Sequence, residues 1–200
     1  MSLLAQFLDM GYYGDTINLH GAGMTKEEKL QHFGWLLVDL IVDLSVAAVV
    51  YRDYLQHEAI PKNGPMFHGV SRMCKFSVII ALCKLHDALN DNGLAISSFP
   101  DELRAEIKTF RRYVAEKSLF TIRSKFAAHN FDDFDNYTYD DGNRMFTELV
   151  GSTLGENTAF FEFINPADHK NSVGTMSHFV TALKDHVKTL VDLPPRVSAQ

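Results

Sequence analysis

Cysteine is scarce in this chain, and the little there is cannot pair easily. Only Cys74 and Cys83 occur, nine residues apart in an apolar helical pattern. That spacing puts them on opposite helix faces and excludes a mutual disulfide. There is no Cys-x-x-Cys pair and no zinc-ligand spacing, so a reducing, intracellular compartment is expected. Glycine-rich phosphate loops, dinucleotide fingerprints and a Gly-x-Ser-x-Gly elbow are also missing, which removes support for those nucleotide and hydrolase classes.

Positive charge is in short supply overall. The formal net charge of -6 argues against a protein that coats nucleic acid without specificity, because phosphate contacts need a basic face. No cationic segment precedes an apolar core at the N-terminus, so no signal peptide is expected. The apolar stretch Trp35–Tyr51 is interrupted by Asp39 and Asp43. A carboxylate at the centre of a lipid-spanning helix costs about 2.5–3.5 kcal/mol, and the sequence therefore predicts a soluble, cytoplasmic chain with no membrane partner. Asp39 and Asp43 share a helix face and could act as a carboxylate pair. The alternative preferred here is that each meets a basic neighbour such as Arg52.

What the chain has in quantity is helical periodicity. With 46% hydrophobic residues, it can bury one sizeable core. Residues 1–24, which hold four glycines, are expected to form an N-terminal arm. Residues 25–193 are expected to form a single helical domain, and 194–200 a tail. Thr25 and Glu28 make a capping box, after which Leu30, Phe33, Leu37, Leu40, Ile41, Leu44, Ala48, Tyr51 and Leu55 recur at helical spacing up to Pro61. A second helix spans Phe67 to Leu89; its run Val78–Cys83 is apolar on every side, which marks it as central.

A third helix starts at Pro100 with the stripe Leu103, Ile107, Phe110 and Val114. Its pattern continues through Leu119, Ile122 and Phe126, with a possible break at Lys117–Ser118. Asp132 to Gly142 reads as an acidic loop. A fourth helix is predicted from Asn143 to Leu154, and a last from Ser172 to the prolines at 194 and 195; Ala159–Ile164 fits helix or strand equally. The expectation is an all-α, antiparallel bundle of about five helices.

Cations concentrate between Asp101 and Lys125, where seven of them face four carboxylates. Lys108, Arg111, Arg112, Lys117 and Lys125 are the expected phosphate-facing residues; the alternative is a solvated helix face laced with ion pairs. The nine histidines include no Glu-x-x-His or His-Glu-x-x-His pattern, so no metal and no other cofactor is expected. Both cysteines lie in apolar runs that disfavour the thiolate.

The segment Arg123-Ser124-Lys125-Phe126-Ala127-Ala128-His129 carries the candidate chemistry. Arginine is permanently charged and suited to phosphate, while histidine moves protons near neutral pH. Six positions apart on a helix means about 120° around the axis and about 9 Å along it, so the two side chains do not share one stripe. Either the helix ends near His129, or two copies of the motif converge across a dimer. The plainer alternative is a surface arginine and a histidine capping a helix C-terminus, where a cation is favoured.

The run Leu119 to Asn130, together with Ile80-Ala81-Leu82-Cys83-Lys84-Leu85-His86-Asp87 upstream, resembles the HEPN superfamily, whose signature is Arg-x(4–6)-His. Within it, the context looks like the AbiU-like abortive-infection branch. The resemblance implies an all-α homodimer that cuts RNA without metal in a toxin or phage-defence role, with an antitoxin or regulatory protein as a further partner. It implies that Arg123 holds the scissile phosphate, that His129 acts as acid or base at the ribose 2′-hydroxyl or the leaving oxygen, and that Ser124 and Asn130 support them. Active members usually carry Asn, Asp or His after the arginine, where this chain has Ser124. In one toxin branch a tyrosine two residues after the histidine is modified, and here that position is Phe131. A HEPN-like bundle that binds RNA, nucleotide or a protein without cleavage is the competing reading.

Overall fold

The computed structural model describes residues 24–124, 139–168 and 172–194. Thr25 caps helix α1 (Lys26–Gln56) as its sequence predicts. Its hydroxyl accepts the Glu28 N–H at 3.2 Å, and the Glu28 carboxylate accepts the Thr25 N–H at 2.7 Å. The helix stops at Gln56 instead of continuing to Pro61. There the Lys62 ammonium donates to the carbonyls of Tyr54 and His57 at 2.9 and 2.7 Å, a cation placed at the negative end of the helix.

Helix α2 (Pro65–Asp91) opens on a first-turn proline and leads into the single turn α3 (Gly93–Ile96). Helix α4 (Asp101–Glu116) is followed by the single turn α5 (Leu119–Ile122). Then come α6 (Tyr139–Val150), α7 (Leu154–Ile164) and α8 (Met176–Leu190). The fold is all-α, with eight helices and no strand among the described residues.

Helices α1 and α2 form the inner pair. Phe33, Leu37, Leu40, Leu44, Ala48 and Tyr51 of α1 are buried, and so are Val78, Ile79, Leu82, Cys83, Leu85 and Leu89 of α2. Helices α8 and α7 close over α1, while α4 and α5 close over α2. Tyr51 stacks on Phe161 with ring centroids 4.0 Å apart, which ties α1 to α7. Both α1 and α2 are long and apolar enough to cross a membrane by length and composition; in the bundle one face of each is buried in the core, while Val42, Val46 and Val49 of α1 are exposed.

Four expectations are corrected. The count exceeds five because the third helix does break at Ser118, because α3 interrupts the connection to α4, and because the undecided segment 159–164 belongs to a helix of its own. Residues 139–142 are not loop but the first turn of α6, where Asp140 and Asp141 sit at the positive helix end and Arg144 meets Asp141 at 3.0 Å. Helix α6 ends at Val150, Gly151 turns the chain with φ of 87°, and Thr153 with Glu156 forms a second capping box that starts α7. Ala159–Ile164 is therefore helical. Lastly, α8 begins at Met176, capped by Thr175, rather than near Ser172.

Asp43 does not use Arg52 but meets Lys84 of α2 at 3.7 Å. Arg52 instead donates to the Asn165 carbonyl at 2.6 Å and to Glu162 at 3.3 Å, bracing the end of α7. Residues 1–23 and 195–200, and so nearly all of the expected arm and tail, lie outside the described residues, as does the acidic stretch 132–138.

Candidate functional site

The geometry around Arg123 starts at Ser118. This residue is left-handed, with φ of 51°, a conformation that disfavours a side chain with a Cβ. It ends the α4 direction and swings α5 back over α2. Leu119 and Ile122 of α5 are then fully buried, which leaves Phe120 and Arg123 on the side of the turn that meets the C-terminal half of α2.

Four side chains converge there. Arg123 Nη1 lies 3.4 Å from Asp87 Oδ2, and its guanidinium carbon stands 4.8 Å from the centroid of the Phe120 ring. His86 meets the same ring edge-on at 5.0 Å. Its Nδ1 lies 3.2 Å from Asn90 Nδ2 and 3.8 Å from Asp87 Oδ1. The Arg123 side chain is 36% exposed, so a carboxylate and a ring face hold it while donors of its guanidinium remain available to solvent or a ligand. Behind it Cys83 is buried. Burial pushes its thiol up to about 11, against the opposing pull of the nearby Arg123 charge, and so disfavours the thiolate.

The other predicted residues divide between surface and interior. Ser124 is exposed, and its hydroxyl donates to the Thr121 carbonyl at 3.3 Å. Lys108 and Arg112 are exposed one turn apart on α4, with Arg112 only 3.9 Å from Glu116. The Lys117 ammonium donates to the Glu148 carbonyl at 3.3 Å, linking α4 to the end of α6. Arg111 turns inward and donates from Nη2 to the Leu89 carbonyl at 3.0 Å, satisfying the last turn of α2. Lys125, His129 and Asn130 lie outside the described residues.

His86, Asp87 and Phe120 were not assigned a role on sequence grounds, although all three fall within the two runs that carry the family resemblance. Nothing in the linear pattern says that residue 87 meets residue 123. Only the reversal at Ser118 brings them together. Among the described residues, no three His, Cys, Asp or Glu side chains converge as a metal-binding set.

No protein-family model and no curated protein matches the chain. A solved structure described as an integron cassette protein, Vpc_cass2, from the mobile metagenome of V. paracholerae is similar in fold, with a TM-score of 0.66. The two share 17% identity over 83% of this chain and 99% of that one. At that identity the likeness extends to the fold alone.

Proposed function

We propose that this chain is a metal-independent endoribonuclease of the HEPN type, acting as a cytoplasmic homodimer in a toxin or phage-defence role. The observation that carries the reading is the placement of Arg123. Asp87 and Phe120 fix its guanidinium at a half-exposed position beside His86, near the end of a segment, 101–125, in which cations outnumber carboxylates.

In this reading Arg123 donates to the non-bridging oxygens of the scissile phosphate and stabilises the charge that develops there. His129 takes the proton of the ribose 2′-hydroxyl or returns one to the departing oxygen. The 2′-oxygen forms a bond to phosphorus, the bond to the 5′-oxygen breaks, and the products are a cyclic phosphate and a 5′-hydroxyl. Asp87 orients Arg123. Exposed Lys108 and Arg112 on α4 would bind the strand electrostatically.

The test is cleavage of mixed transfer and messenger RNA in EDTA by the full chain, compared with His129→Ala and Arg123→Ala at matched fold and concentration. Cleavage by the wild type alone, leaving cyclic phosphate ends, supports the proposal. Cutting that survives both substitutions would point to another site. RNA binding without cleavage would move the assignment to a binding module.

A further inference from the structure

A second cationic site lies on α2, away from Arg123. His68, Arg72 and Lys75 follow one another at four and three residues, so they form one stripe of the helix. With Ser71, they make the α2 wall of a cleft of about 220 Å³ whose other wall is Asn143 and Phe146 of α6. Phe76 of α2 packs against Phe146 at 5.2 Å between centroids and forms the apolar floor. The Arg72 guanidinium stands 5.3 Å from the Phe76 centroid and the Lys75 ammonium 5.6 Å from that of Phe146.

The aromatic rings fix where these cations sit, and nothing among the described residues neutralises them. Among the described residues, no carboxylate lies within ion-pair distance of His68, Arg72 or Lys75. Lys75 is half-buried, and burial pulls its ammonium below the usual lysine range. A partly desolvated cation is stabilised by a neighbouring negative charge, and an anion entering the cleft would supply one. Hydroxyl and amide groups on Ser71 and Asn143 add hydrogen-bonding capacity suited to an oxyanion.

We propose that this cleft is a phosphoryl-binding subsite, taking either a backbone phosphate of an RNA strand or the phosphate of a free nucleotide. Lys75 and Arg72 supply the charge, and the cleft has room for a phosphoryl group with little more than its sugar. On α2, Lys75 and His86 are 11 residues apart, which places them within about 20° around the axis and about 16 Å along it. One strand lying along that face would reach both this subsite and Arg123. That geometric link rests on the ribonuclease reading; the anion site itself does not.

The test measures binding of adenosine 5′-monophosphate, adenosine and a short single-stranded oligoribonucleotide by calorimetry. The proteins are the wild type, Arg72→Gln, Lys75→Met and Arg123→Ala. Binding of the monophosphate but not of adenosine, weakened about tenfold or more by Arg72→Gln and by Lys75→Met, identifies a free-nucleotide site. Binding of the oligonucleotide alone, with the same losses and a salt slope smaller by about one for each cation removed, identifies a strand subsite.

Either pattern should persist in Arg123→Ala, which separates this site from the cleavage centre whether or not RNA is cut. Lys75→Met keeps the volume of the side chain and should raise the melting temperature, so a loss of binding there is not a loss of fold. Absence of binding by every probe, or binding indifferent to both α2 substitutions, overturns the proposal.

Discussion

Arg123 is held from two directions at once: Asp87 reaches its Nη1 at 3.4 Å while the Phe120 ring lies 4.8 Å from its guanidinium carbon. The two contacts come from different helices, so the orientation of one side chain reports the seating of α5 on α2.

That pairing separates function from stability. Arg123 and Asp87 are 36% and 51% exposed, and such pairs contribute less than about 1 kcal/mol to folding. Asp87→Asn should therefore leave the melting temperature nearly unchanged. It should lower kcat for RNA cleavage by roughly 10- to 100-fold through misplacement of the guanidinium, and Arg123→Ala should lower it by about 10²–10³. Thermal melts alongside single-turnover cleavage check this; equal effects on melting and on cleavage would mean that the pair is structural.

Arg111 and Arg112 are neighbours with opposite expected behaviour. Arg111 donates to the Leu89 carbonyl at the end of α2, and Arg111→Met should cost about 1–3 kcal/mol in urea unfolding by stranding that acceptor. Arg112→Ala should change stability by less than about 0.5 kcal/mol. It should weaken RNA binding and make its salt dependence shallower. A matched pair of unfolding curves and salt titrations separates the two.

Ser118 tests the turn that builds the site. Its φ of 51° suits glycine, so Ser118→Gly should stabilise the fold by up to about 1 kcal/mol. Ser118→Val should destabilise it by about 1–2 kcal/mol. If the valine variant unfolds at the wild-type urea midpoint, the left-handed turn is not a constraint.

Glu156 carries an acid-range prediction. The backbone N–H groups of Thr153 and Ser152 donate to its carboxylate at 2.9 and 2.8 Å, and these bonds, that of Thr153 first, hold its pKa down to about 2 from 4.5. A carboxylate with a depressed folded-state pKa stabilises the fold above its unfolded value and loses that contribution as pH falls. The stability gap between wild type and Glu156→Gln should thus be full above about pH 4.5 and close as pH drops toward about 2. Melting temperatures of the two proteins across that range provide the check; a gap independent of pH would rule the capping carboxylate out as its source.

The main helices were legible because their signals are local. The 3.6-residue apolar period sets the buried faces of α1 and α2, Thr25 with Glu28 sets the first start, and Ser118 sits where the third helix was expected to break. A second local signal, Thr153 with Glu156, was equally readable and places α7 once it is noticed. Asp140 and Asp141 looked like loop residues because acidic character is shared by loops and by first helical turns, and only the position of the turn tells them apart.

The sequence by itself determined the all-α class, the central place of α2 and the stretch from Arg123 to His129 as the candidate for chemistry. Periodicity and capping act over a few residues, so they can be read along the line. Tertiary structure alone decided that Asp87 and Phe120 meet Arg123, that Arg111 braces α2 while Arg112 faces solvent, and that His68, Arg72 and Lys75 lie opposite Phe146. Each of these depends on how two helices pack across distances in sequence that no local pattern encodes: two adjacent arginines differ by about 100° around the helix axis, and which direction is interior is fixed by the neighbour that covers it.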